Sequence, residues 1–125
     1  MPRKIIYHRK QAFSEQDGRC YYCKFPMWIK DQEGFALKHK ISVSEAKKFQ
    51  CTAEHLQARC DGGGNEKKNI VAACRYCNEN RHKRKKPPVP YRYKEMIQNR
   101  IKKKKWHPIS QHHLVSYIKS NKEIL

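Results

Sequence analysis

The sequence predicts a small α+β domain held together by a metal site more than by a large core, and three observations lead there. Between residues 51 and 85 the chain reads as strand, glycine-rich loop, strand and helix. Two Cys-x2-Cys pairs, Cys20/Cys23 and Cys74/Cys77, bracket residues 24–73. Only 38% of the 125 residues are hydrophobic while 32% are charged. That length suits one domain at the usual ~100–200 residues. So thin an apolar complement calls for a staple such as a metal or disulfides. Four Phe, two Trp and seven Tyr argue against wholesale disorder.

Each element has a local signal. Met1 to Lys10 reads as a basic arm, and Lys10 to Asp17 as a short helix ended by Gly18. Phe25 to Ile29 is rich in β formers. With a turn over Asp31-Gln32-Glu33-Gly34 and a second stretch from Phe35, it predicts a hairpin. Ser42-Val43-Ser44-Glu45 has the form of a capping box and opens a helix of about two turns. Cys51 to Leu56 predicts a strand, Asp61-Gly62-Gly63-Gly64-Asn65 a tight loop, and Lys68 to Ala73 a second strand. Arg75 to about Lys85 suits a helix that Pro87-Pro88 stops. Beyond Pro90, Tyr93, Met96, Ile97 and Ile101 fall at helical spacing, and a last helix starts near Ser110 with Leu114, Val115 and Ile118 on one face.

Charge narrows the partner. There are 29 Lys and Arg against 11 Asp and Glu, a net +18, which favours a polyanion. Residues 81–125 carry +12 of that total, offset only by Glu95 and Glu123. No window approaches the ~18 consecutive apolar residues of a membrane span. The first residues lack the apolar stretch of a secretory signal, so the expected compartment is a reducing cytoplasm. There, Cys-x2-Cys pairs serve metals more than disulfides. A tight turn delivers two thiolates to one ion, and two turns complete the tetrahedral set that Zn²⁺ prefers, with Zn–S about 2.3 Å. Disulfides or a redox Cys-x2-Cys are the competing readings, and the matched pair of knuckles favours zinc. Cys51 and Cys60, without such partners, read as ordinary thiols.

One ordered set of residues carries chemistry. Cys20/Cys23, Glu54-His55, the Asp61-Gly62-Gly63 turn, Asn69, Cys74/Cys77 and Asn78 together resemble the HNH endonuclease family, whose fold is the ββα-metal motif. The likeness covers about residues 10 to 86 firmly. Past it, Arg81-His82-Lys83-Arg84 and Trp106-His107-Pro108 resemble a group of small stand-alone members. Three segments follow: a basic arm over 1–10, an HNH nuclease domain with zinc knuckles over 11–86, and a basic helical extension over 87–125.

The resemblance implies divalent-metal-dependent hydrolysis of DNA phosphodiester bonds, aided by Mg²⁺, Mn²⁺ or another divalent ion besides the structural Zn²⁺. His55 suits the general base, because imidazole titrates near pH 6.5. Glu54 offers a hard oxygen ligand, although neighbours on a strand point to opposite faces and converge only at an irregular end. The resemblance puts a metal ligand at Asn78. His82, four residues on and so on the same helix face, matches a further histidine that some members use at the metal or phosphate. Asn69 would hold backbone near the histidine loop and orient His55. The family usually has Asp where this chain has Glu54, and the extra methylene moves the carboxylate outward. Taken singly, each residue has a plainer role: a surface ion pair for Glu54-His55, a helix cap for Asn78, a solvated side chain for His82. His8, His39, His107, His112 and His113 read as surface or packing residues.

Arg59, Arg81, Lys83, Arg84 and Lys85 are the expected contacts to a duplex DNA backbone. Such contacts position a protein without reading sequence, and they weaken steeply with salt. A membrane-surface helix over 91–105 is the weaker reading of that segment, since its apolar face suits the core. The main rival function is a non-catalytic zinc-containing nucleic-acid-binding module; a basic structural protein associating with RNA or ribosomes is a third.

Overall fold

The structure is a computed structural model and describes residues 3–58 and 61–107. Arg59, Cys60, Pro108, His112, His113 and the helix expected from Ser110 lie outside the described residues. The elements are α1 (Arg3–Glu15), α2 (Gln32–His39), α3 (Val43–Ala46) continued by a 3-10 turn (Lys47–Phe49), β1 (Cys51–His55), a 3-10 turn (Lys67–Asn69), β2 (Ile70–Cys74), α4 (Arg75–His82) and α5 (Pro90–Lys102). The class is α+β, with strand, loop, strand and helix in the predicted order at its centre.

The amino-terminal residues do not form a separate arm. From Arg3 onward they are the opening of α1, which lies against the sheet. Ile5 and Ala12, seven residues apart, are buried on one face, while Arg3, Lys4 and Lys10 are exposed. The charges that suggested an arm are the outer face of an amphipathic helix. The helix ends as expected: Gly18 has φ +72, and its N–H donates to the Phe13 carbonyl at 2.8 Å.

The predicted hairpin over 25–35 does not form. Residues on either side of the first knuckle make single bridges instead, Arg19 with Pro26 and Trp28 with Gln50. Residues 32–39 are α2, and the supposed turn is its N-terminus, where Asp31 Oδ1 accepts from Gly34 N at 2.9 Å. A side chain on Gly34 would collide with that carboxylate. Burial of Phe35, Ala36 and His39 on one face favours a helix over a strand. The box at α3 forms: Ser42 Oγ accepts from Glu45 N at 3.0 Å, and Glu45 Oε1 accepts from Ser42 N at 2.9 Å.

β1 and β2 are antiparallel, with Cys51 opposite Cys74 and His55 opposite Ile70. Gln16 of the α1 terminus bonds Ala72 through both ends of its amide. The core is aromatic and wraps the cysteines: Tyr22, Phe25, Phe49, Tyr93 and Ile97 are fully buried. Tyr93 and Ile97 come from α5, and Tyr93 Oη donates to the Cys77 carbonyl at 3.0 Å. Residues 90–107 thus share the core of the segment before them. Among the described residues no helix is long and apolar enough to cross a membrane.

Candidate functional site

The four cysteines meet where the fold needs them. The Sγ atoms of Cys20, Cys23, Cys74 and Cys77 all lie within 4.8 Å of one another and all four residues are buried. Ligands about 2.3 Å from a tetrahedral Zn²⁺ stand roughly 3.8 Å apart, and Cys23 and Cys74 are 3.9 Å apart. Backbone N–H groups point at the sulfurs, among them Tyr22 N to Cys20 at 3.3 Å, Phe25 N to Cys23 at 3.4 Å and Cys77 N to Cys74 at 3.4 Å. Trp106 Nε1 donates to Cys77 Sγ at 3.2 Å. Donors aimed at sulfur favour thiolates. Burial, and after it the hydrogen bond with Cys20, push the Cys23, Cys74 and Cys77 thiols up, and Cys20 is held well below its ordinary value by thiol hydrogen bonds that outweigh burial. A divalent cation is the group that lets all four ionise together. The donor set, geometry and surroundings fit zinc. Cys51 stands apart as a buried thiol that burial pushes up to about 12.

A second cluster is built on Glu54, which is 2% exposed. Its Oε2 accepts from Tyr22 Oη at 2.9 Å and from Arg81 Nη1 at 3.3 Å, and its Oε1 lies 3.0 Å from His82 Nε2. A carboxylate this deep is tolerated only when paired and hydrogen-bonded, and these three side chains supply that. Burial, then the Glu54 carboxylate, hold the Tyr22 phenol well above its usual range. The cluster draws on three parts of the chain: Tyr22 sits inside the first knuckle, Glu54 on β1, Arg81 and His82 at the end of α4. The zinc site therefore fixes the geometry of the carboxylate cluster.

Asn78 lies on the α4 face that meets β1, its Nδ2 donating to Thr52 Oγ1 at 3.0 Å and the Ala53 carbonyl at 3.2 Å. His55 ends β1, and its Nε2 meets Asn65 Oδ1 at 2.9 Å. Glu54 and His55 make separate contacts, as the strand alternation requires. Asn69 is buried; its Oδ1 accepts from Gln57 N at 2.8 Å, and its Nδ2 donates to the carbonyls of Gln57 at 3.1 Å and Gly64 at 2.8 Å. It stitches the glycine loop shut between the two strands. The side chain meeting His55 is therefore Asn65, which the sequence placed only in a turn.

The structure adds Tyr22 to this site and turns Arg81 into its interior. Tyr22 carries no assignment in the sequence, and its phenol reaches Glu54. Arg81, expected on a phosphate, is 6% exposed, and its Nε donates to the Pro88 carbonyl at 3.0 Å. It serves the interior. Lys83, Arg84 and Lys85 directly after α4 are exposed.

The family model described as HNH endonuclease matches residues 20–84, more than half of the chain. No curated protein matches the chain, and no solved structure does.

Proposed function

Because the chain belongs to the HNH endonuclease family, we propose that it is a divalent-metal-dependent endonuclease hydrolysing phosphodiester bonds of duplex DNA in the cytoplasm. The observation that carries this reading is the Glu54–His82 pair, whose donor atoms stand 3.0 Å apart. Two neighbouring ligands about 2.1 Å from an octahedral ion are separated by roughly that distance. Glu54, His82 and Asn78 would hold the ion, and a carboxylate, an imidazole and an amide together suit Mn²⁺ as well as Mg²⁺. When bound, the ion would supply positive charge to the scissile phosphate and the leaving 3′-oxygen.

The remaining work falls to the chain's own residues. With Asn65 Oδ1 as acceptor, His55 carries its hydrogen on Nε2, which leaves Nδ1 to take the proton of an attacking water. Asn69 acts at one remove, holding Gly64 and Gln57 so that the loop presents Asn65. Tyr22 and Arg81 hold the Glu54 carboxylate fixed in direction. The exposed Lys83, Arg84 and Lys85 meet backbone phosphates.

One observation favours the rival reading, a non-catalytic zinc-containing nucleic-acid-binding module: both oxygens of Glu54 are already engaged. Incubation of supercoiled plasmid with the zinc-loaded protein separates the two. Nicked or linear product with Mg²⁺ or Mn²⁺ supports the nuclease; intact plasmid with every divalent ion tried supports the binding module.

A further inference from the structure

A separate face of α4, away from Asn78 and His82, forms one wall of a basic cavity of about 330 Å³. Arg75 and Tyr76 line it from α4, Lys83 from directly after that helix, and Lys47 and Lys48 from the 3-10 turn after α3. The one carboxylate in the lining, Glu79, pairs with Arg75 at 3.3 Å. None of the ion pairs among the described residues includes Lys47, Lys48 or Lys83. Three ammonium groups facing one concavity repel, and an anion seated between them relieves that repulsion. Two polar groups that could read a base are committed to the protein. Tyr76 Oη donates to the Trp106 carbonyl at 3.1 Å, and Asn80 Nδ2 donates to the Tyr76 carbonyl at 2.7 Å. With Ser44 the other neutral polar residue of the lining, cations dominate the cavity, the character of a backbone contact.

We propose that this cavity is a second phosphate-binding site, which seats nucleic-acid backbone at a point distinct from the Glu54 cluster. Bound DNA would then be gripped on two faces of α4, with the zinc core behind holding both at a fixed separation. The proposal rests on the nuclease reading for its ligand, a phosphodiester strand.

The test compares full-length, zinc-loaded proteins by fluorescence anisotropy on a labelled duplex, without added Mg²⁺ or Mn²⁺, between about 50 and 200 mM salt. The variant Lys47→Gln/Lys48→Gln should raise Kd at least about tenfold and make the log–log salt slope shallower by about two. Lys83→Gln, directly after the other element, should reduce the slope by about one. Lys38→Gln/Lys40→Gln, at the end of α2 and directly after it, removes equal charge elsewhere and should leave the slope near wild type. Equal effects of the two double variants would overturn the site, leaving only net charge as the cause. So would unchanged binding by the cavity variants. If calorimetry showed that the cavity variants lose affinity for inorganic phosphate while duplex binding held, a free-anion site would replace the proposal. Failure of the wild type to bind duplex would overturn this site and the nuclease reading together, whereas a binding wild type with indifferent cavity variants overturns the site alone.

Discussion

Oε1 of Glu54 and Nε2 of His82 stand 3.0 Å apart across the junction of β1 and α4, one side chain 2% exposed and the other half exposed. The pair thus joins an interior that fixes direction to a surface that a phosphate can reach. Tyr22 and Arg81 complete the interior side.

Tyr22→Phe removes one hydrogen bond to Glu54 and little else. Loss of such an outer partner typically costs about 10–100-fold in metal affinity or activity. Titration calorimetry with Mn²⁺ should show the weaker binding, while zinc content stays that of the wild type. Unchanged Mn²⁺ affinity would mean that the phenol does not position the carboxylate.

Arg81→Leu leaves the Glu54 carboxylate buried without its cation. Breaking a buried pair on one side costs about 3–5 kcal/mol, and urea unfolding should show a loss of that order. Adding Glu54→Gln to the same protein should recover part of the loss. No recovery would show that Arg81 acts through its bond to Pro88 and its packing instead.

The zinc site holds together the first knuckle, β2, α4 and, through Trp106 and Tyr93, the segment after α5 begins. Cys74→Ser should release the metal and unfold the domain, as should a strong chelator on the wild type. Circular dichroism together with metal analysis reads both effects. A folded, zinc-free Cys74→Ser protein would refute the structural role of the four cysteines.

His107 gives stability a pH dependence of its own. Burial among Phe25, Phe49 and Tyr76 lowers it from 6.5 to about 4. In the unfolded chain it takes up a proton near 6.5, so that state gains as pH falls and the folded state does not. The contribution is therefore present above about pH 6.5 and is lost progressively towards pH 4, by up to about 3 kcal/mol. Denaturation of wild type and His107→Phe across that window should diverge by this amount, with the variant less sensitive to acid. Parallel curves would contradict the assignment.

The centre of the fold was legible because its signals are local and strong: paired cysteines at fixed spacing, Ser42 and Glu45 in a capping box, a glycine run between two apolar stretches. The errors came where one residue pattern serves two structures. Asp31-Gln32-Glu33-Gly34 closes a hairpin or caps a helix with equal ease, and burial of Phe35 and His39 decided it. Arg3, Lys4 and Lys10 looked like an arm because charge is conspicuous and the burial of Ile5 is not. At the site, the motif identified Glu54 but not what holds it. Tyr22 and Arg81 reach it from 32 and 27 residues away in sequence, and no spacing rule links such positions. Asn65 escaped notice because the glycines around it explain a loop without needing its amide.

The central claim, hydrolysis at a His55–metal site, is tested most directly by His55→Ala. Duplex affinity and plasmid cleavage should be measured on the same zinc-loaded preparations with Mn²⁺ and Mg²⁺. The variant should bind duplex as the wild type does and cut at least about 10²-fold more slowly, the contribution expected of a positioned general base. Cleavage by His55→Ala at the wild-type rate, at equal binding, would contradict the account.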